Sequence, residues 1–169
     1  ANIHGIKSHR IVQQGLELLT NLTHRGATGY DPKLGDGAGL LIQISDDFFR
    51  NETQINKIKL PAFGYYGIGM VFLPQSKTAR EKCEVIISKI VEEEAQVTLG
   101  WRKVPVNNKN IANAARDVEP VIRQIIIGRN KNCTSQDNFE RKLFVIRKRI
   151  EIEVSKLNID DSAKFYIAS

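Results

Sequence analysis

Between Ser8 and Leu22 the apolar residues Ile11, Val12, Leu16, Leu18, Leu19 and Leu22 recur every three or four positions. That spacing lines one face of an amphipathic helix, and Ser8 is placed to cap it. His24-Arg25-Gly26 ends the pattern. From Gly29 to Gly37 the chain is rich in Gly, Asp and Pro, which predicts a loop. Gly39-Leu40-Leu41-Ile42-Gln43-Ile44 then reads as a mostly buried strand. Asp46-Asp47-Phe48-Phe49-Arg50 reads as a short helix with two aromatic anchors.

The second part of the chain is more strongly patterned. Tyr65 to Leu73 is a continuous apolar run closed by Pro74, too short for a helix of ordinary length and rich in strand formers, so a core strand is expected. Ser76 can cap a helix whose apolar face holds Cys83, Ile86, Ile87, Ile90 and Val91, with Lys82, Lys89, Glu92 and Glu93 on the far side. Val97, Leu99 and Trp101 alternate with Thr98, Gly100 and Arg102, which predicts a third strand closing at Val104-Pro105-Val106. Val121 to Ile127 is a fourth strand, and Gly128 to Ser135 is a polar loop. Phe139, Leu143, Ile146, Ile150, Val154 and Leu157 keep one face apolar over about five turns of a last helix. The closing residues Lys164 to Ser169 look like the opening of another strand.

These elements predict one domain that mixes helices and strands, with no internal repeat and no linker. A chain of 169 residues with 41% hydrophobic and 26% charged residues has the composition of a globular domain and the length for one core. No apolar stretch approaches the roughly 18 residues of a membrane span, so neither a membrane nor a secretory route is expected. The single methionine is Met70 while the chain opens on Ala1, which raises the expectation that it is an excerpt of a longer polypeptide.

The net charge of +6 suits a polyanionic partner only if the cations are gathered. The densest run, Arg147-Lys148-Arg149, is followed by Glu151 and Glu153 and carries no interleaved aromatics for base stacking. It reads as a solvated helix face, and no nucleic-acid partner is expected. Cys83 and Cys133 have no second Cys or His at metal-ligand spacing, so no metal site is predicted and both read as reduced thiols in a cytoplasmic compartment.

His24-Arg25-Gly26 admits two readings. The Arg25 guanidinium can face a carboxylate or an oxyanion through its planar donor fork. Alternatively, His24 and Arg25 tie down helix carbonyls while Gly26 takes a left-handed cap position. Gly35-Asp36-Gly37-Ala38-Gly39 lacks the flanking strand and helix of a dinucleotide fingerprint and the Lys of a P-loop. Asp31, Asp36, Asp46 and Asp47 sit where turns and caps favour Asp. No nucleophile elbow or zinc motif is present.

Five blocks in register add what single motifs do not: Asn21 to Ala27, Gly35 to Gly39, Tyr66 to Pro74, Gly100 to Val106 and Leu143 to Lys148. Together with Glu119-Pro120 and Phe165 to Ser169, they resemble the N-terminal class II glutamine amidotransferase domain of glutamate synthases over essentially the whole chain. The resemblance implies an α+β fold, an αββα sandwich like that of N-terminal-nucleophile hydrolases, here incomplete at both ends, with residues 1–169 a partial glutaminase domain. It implies hydrolysis of L-glutamine to glutamate and ammonia by an N-terminal cysteine whose own α-amino group is the base. The family's Cys-Gly-x-Gly-Phe opening is expected immediately before Ala1, so these 169 residues are expected to be inactive alone. Catalytic residues are thus expected outside the chain, and Arg25, Gly26, Asp36 and Gly37 are carried over as lining the active site. Flavin mononucleotide and an iron-sulfur cluster are implied for the full-length enzyme and not for this chain. The implied partners are synthase domains of the same polypeptide and either a small reductase subunit or ferredoxin, in the cytoplasm or a plastid stroma. The alternative of a different class is a noncatalytic, stand-alone domain that binds or regulates a partner.

Overall fold

The computed structural model describes residues 4–27, 31, 33–34, 37–55, 57–157 and 165–168. They form two compact units, one of residues 1–44 with 107–118 and one of residues 45–106 with 119–169.

In the first unit, helix α1 (His9–Asn21) forms where the three-and-four spacing predicts it. It buries no residue fully, and Leu16, Leu18 and Leu22 stay exposed. A 3-10 turn over Thr23–Arg25 follows. The run Gly39–Ile44, expected as a buried strand, has no regular structure, and Leu41 is 88% exposed. An apolar run becomes a strand only when another strand supplies its hydrogen bonds. Among the described residues none pairs with it.

The second unit is an α+β structure built on one antiparallel sheet. It contains α2 (Asp46–Ile55), β1 (Tyr66–Leu73), α3 (Lys77–Glu93), β2 (Val97–Lys103), β3 (Val121–Gly128), α5 (Gln136–Ser155) and β4 (Tyr166–Ala168), while the short α4 (Asn113–Asp117) lies in the first unit. The strands run in the order β2-β3-β1-β4, with every neighbouring pair antiparallel. The four strands and two long helices expected in this part of the chain are all present. α2 runs five residues past its expected end, and α4 escaped prediction because five residues offer no periodicity.

Alternation in the strands decides what each face of the sheet carries. Val71 and Leu73 of β1, Ile125 and Ile127 of β3 and Ile167 of β4 point to the side where α3 and α5 pack. There they meet Cys83, Ile87, Ile90 and Val91 of α3 and Phe139, Ile146, Ile150 and Val154 of α5, all buried. α5 comes so close to β1 that a Cβ at Gly67 would stand 2.6 Å from Leu143 Cδ1. Glycine there permits the approach. Ser76 Oγ accepts from Ala79 N (3.4 Å), capping α3 as the sequence suggests, and Ser135 Oγ accepts from Asn138 N (3.2 Å), capping α5.

The opposite face carries Tyr66, Ile68, Met70 and Phe72 of β1 with Gln124 and Ile126 of β3. Here β2 departs from plain alternation. A bulge between Thr98 and Gly100 interrupts the alternation, and Arg102 is buried. The reason is α2, which lies against this face and brings Glu52 and Phe48 to Arg102.

Candidate active site

The four residues carried over as site-lining fall in the first unit. Asp36 lies outside the described residues. Arg25 closes the turn that ends α1 and is exposed, and among the described residues no hydrogen bond or ion pair engages its guanidinium. His24 Nδ1 lies 2.9 Å from Asn21 O, and Thr23 Oγ1 donates to Thr20 O at 2.6 Å, so the last helical carbonyls are tied by these neighbours. Gly26 corrects the capping reading: at φ −72° and ψ 142° it is extended, not left-handed. Its amide closes the turn on Thr23 O at 3.2 Å.

Gly37 does adopt the left-handed region, with φ +76°, which a residue bearing a Cβ rarely takes. No described atom lies within 4 Å of where its side chain would be, so neither Arg25 nor Gly26 packs on that face of the turn. Asp31 behaves as a turn former, its Oδ1 accepting from Lys33 N at 2.9 Å.

The structure assembles two polar clusters in the second unit that motif reading missed. In the first, Arg102 Nε donates to Glu52 Oε2 (2.8 Å), Nη2 reaches the same oxygen, and Nη1 donates to Gln124 Oε1 (2.9 Å). The Phe48 ring lies 5.3 Å from the guanidinium carbon. In the second, Asp46 accepts from Tyr66 Oη (2.7 Å) and from Arg50 Nε (2.7 Å), and Arg50 Nη2 also donates to Pro61 O (2.8 Å). Burial, and then the bond to Asp46, holds the Tyr66 phenol well above its ordinary pKa of 10.0. The tyrosine stays protonated at neutral pH and locks α2 to β1. Both clusters are closed, with donors and acceptors matched, and neither presents a nucleophile.

The thiols are equally informative. Cys83 is fully buried in α3, and desolvation, followed by the adjacent Glu84 carboxylate, pushes its pKa up. That is the opposite of nucleophile activation. Cys133 is half-buried in the loop before α5, its Sγ 3.9 Å from Ser135 O. Among the described residues no group of three His, Cys, Asp or Glu could hold a metal ion. No described helix is long and apolar enough to cross a membrane. The basic run of α5 is largely neutralised: Lys148 pairs with Glu151 at 2.7 Å, Arg149 with Glu94 at 2.7 Å and with Glu93, and Arg147 lies 3.7 Å from Glu151.

The sequence that forms this antiparallel sheet under two helices has a clear match among known families. The family model of class II glutamine amidotransferases covers residues 1–169, and the chain belongs to that family. Within it, the similarity runs to glutamate synthases. The chain is 46% identical over 169 residues to the NADPH glutamate synthase large chain of Bacillus subtilis, covering 100% of this chain and 11% of that protein. It is 37% identical over 155 residues to the chloroplastic/mitochondrial ferredoxin-dependent glutamate synthase 1 of Arabidopsis thaliana, covering 92% of this chain and 10% of that one. To the NADH glutamate synthase of Saccharomyces cerevisiae it is 32% identical over 178 residues, covering 100% of this chain and 8% of that protein. The chain spans about a tenth of the length of the curated relatives it matches.

Proposed function

We propose that these 169 residues are part of the glutaminase domain of a glutamate synthase, which releases ammonia from L-glutamine for reductive transfer to 2-oxoglutarate. The observation that carries this reading is the match, over 92–100% of this chain, to relatives that are named glutamate synthases, at up to 46% identity. It favours the amidotransferase over a stand-alone noncatalytic domain.

Amide hydrolysis of this class needs a thiolate attacking the substrate carbonyl and a base to take the thiol proton. Neither thiol of the chain suits that work, since Cys83 is buried with a raised pKa and Cys133 sits in a loop with no His, Asp or Glu hydrogen-bonded to its sulfur among the described residues. Membership of the class II glutamine amidotransferases is what assigns the nucleophile, in this reading, to an N-terminal cysteine of the mature polypeptide, its α-amino group acting as base. Arg25, Gly26, Asp36 and Gly37 line the substrate site. Arg25 offers an exposed guanidinium with no competing partner among the described residues, and Gly37 gives a turn whose backbone is open to approach.

The sheet β2-β3-β1-β4 with α3 and α5 forms one half of an αββα sandwich in this reading. The part of its opposite face beyond α2, with half-buried Ile68, Met70, Phe72 and Ile122, packs on the second sheet. The synthase domains of the same polypeptide hold flavin mononucleotide and an iron-sulfur cluster. The described residues contain no thiol set to fit such a cluster, and no step of glutamine hydrolysis passes through either group. Electrons reach those domains from a small reductase subunit or ferredoxin.

The test is ammonia release from glutamine by the full-length polypeptide carrying Arg25→Ala. Loss of a charge-assisted hydrogen bond to substrate, about 1.5–3 kcal/mol, predicts kcat/KM lower by a factor of about 10–100. An unchanged kcat/KM removes Arg25 from the site.

A further inference from the structure

A cavity of about 540 Å³ opens between the α3–β2 turn, the β3–α5 loop and the first turns of α5. Its size falls within the roughly 300–1,000 Å³ of small-molecule sites. It lies wholly within the second unit and involves none of the residues assigned to glutamine hydrolysis.

The hydrogen bonds already made around it determine what it has left to offer. Glu94 is spent: its two carboxylate oxygens accept from Lys142 Nζ and Arg149 Nη1, each at 2.7 Å. Gln96 is spent at both ends, with Nε2 donating to Glu94 O (3.2 Å) and Oε1 accepting from Asn130 N (3.0 Å). Asn130 Oδ1 accepts from Asn132 N at 2.9 Å, and Asn138 Oδ1 accepts from Arg141 Nη2 at 3.1 Å. Both asparagines are thus turned so that their NH₂ groups remain as donors. Arg141 bonds only uncharged acceptors, Asn138 Oδ1 and, at 3.3 Å through Nε, Asp137 O. Among the described residues no carboxylate pairs with it.

What remains without a protein partner among the described residues is a set of solvent-facing donors and one positive charge, and the ligand that answers them is an oxyanion. Lys142, held by Glu94, and Asn132 also line it, and the remainder of the lining is apolar. Val145 and Cys133 contribute to it, as does the Ala95 methyl, which stands in the left-handed position (φ +55°) that glycine ordinarily takes after a helix. Fully hydrated phosphate gains nothing from such a lining, whereas a short carbon chain does.

We infer that this cavity binds a small aliphatic carboxylate, its carboxylate on Arg141 and the asparagine amides and its carbon chain against Ala95 and Val145. Occupancy there is independent of glutamine hydrolysis, so the two readings stand or fall separately.

The test reads Cys133, which lines the cavity, in the full-length polypeptide. Its alkylation by iodoacetamide is followed by peptide mass spectrometry with succinate or inorganic phosphate added, in the wild type and in Arg141→Gln. Cys83, buried, serves as an internal gauge of unfolding. At a succinate concentration about three times its dissociation constant only a quarter of the sites stay empty, so alkylation slows about fourfold. In Arg141→Gln the protection is lost while Cys83 stays unlabelled. Protection by phosphate alone, protection by neither, or protection that persists in Arg141→Gln overturns the inference. Equilibrium dialysis of radiolabelled succinate measures the same occupancy without the thiol: one binding equivalent per chain disappears in Arg141→Gln, and equal stoichiometry in both proteins overturns the inference.

Discussion

Replacing Arg102 by Met keeps an unbranched stem on β2 but removes the guanidinium that joins α2 to the sheet. Gln124 is 8% exposed, so its amide oxygen loses a partner that water cannot replace, at about 1–2 kcal/mol. The Glu52 side chain is 32% exposed. A carboxylate a third in water rehydrates in part, so the lost pair adds about 1 kcal/mol rather than the roughly 3–5 kcal/mol of a fully buried one. The contact with Phe48 adds about 0.5 kcal/mol. Together these amount to about 3 kcal/mol, on the order of a hundredfold in the opening equilibrium of α2. Hydrogen exchange read by mass spectrometry on the full-length polypeptide measures that opening directly. In Arg102→Met the amides of α2 are expected to exchange about a hundredfold faster, with those of β1 and β3 unchanged. Glu52→Gln, which keeps a polar partner, is expected to accelerate them by about tenfold or less. Exchange in α2 within about threefold of wild type would show that the Arg102 cluster does not hold the helix.

Two further substitutions probe the helix-covered face of the sheet. Phe139 is wholly buried among α3, α5 and the sheet, so Phe139→Ala is expected to destabilise the fold by about 3–5 kcal/mol, checked by denaturant unfolding. Glu94 has its pKa lowered by Lys142 first and Arg149 second. Because the folded value lies below the ordinary 4.5, its contribution is complete above pH 4.5 and is lost as pH falls through the lowered folded value. Stability measured against pH should therefore drop less steeply in Glu94→Gln than in the wild type between pH 4.5 and that lowered value; parallel curves would show that the clamp contributes nothing.

Local pattern carried most of the second unit. The faces of α3 and α5, and β1 as an unbroken apolar run, are written in spacing alone, and the burial of Cys83, Ile87, Phe139 and Ile150 follows it. Where pattern misled, the cause lies far along the chain. The alternation of β2 does not say what covers Arg102, and Glu52, fifty positions earlier, supplies its partner. A bulge at Thr98–Gly100 shifts the alternation without a local signature beyond the glycine. Gly39–Ile44 has the composition of a strand, but strand formation depends on a pairing partner that composition does not specify. At the candidate site, Gly37 was legible as a turn glycine because its left-handed conformation requires one. Gly26 was not, because the 3-10 turn over Thr23–Arg25 closes the helix with extended backbone instead. The Asp46–Arg50–Tyr66 lock gave only half a signal, Asp46 and Arg50 one helical turn apart, with Tyr66 supplied by the fold.

The central claim is that this chain serves a cysteine-dependent glutaminase whose nucleophile is neither of its own thiols. A glutamine analogue bearing a diazoketone alkylates the attacking thiolate, and peptide mass spectrometry of the inactivated full-length polypeptide locates the adduct. One adduct per chain on the N-terminal cysteine, with Cys83 and Cys133 unmodified and ammonia release abolished, is the expected result. An adduct on Cys83 or Cys133 that tracks the loss of ammonia release would contradict it.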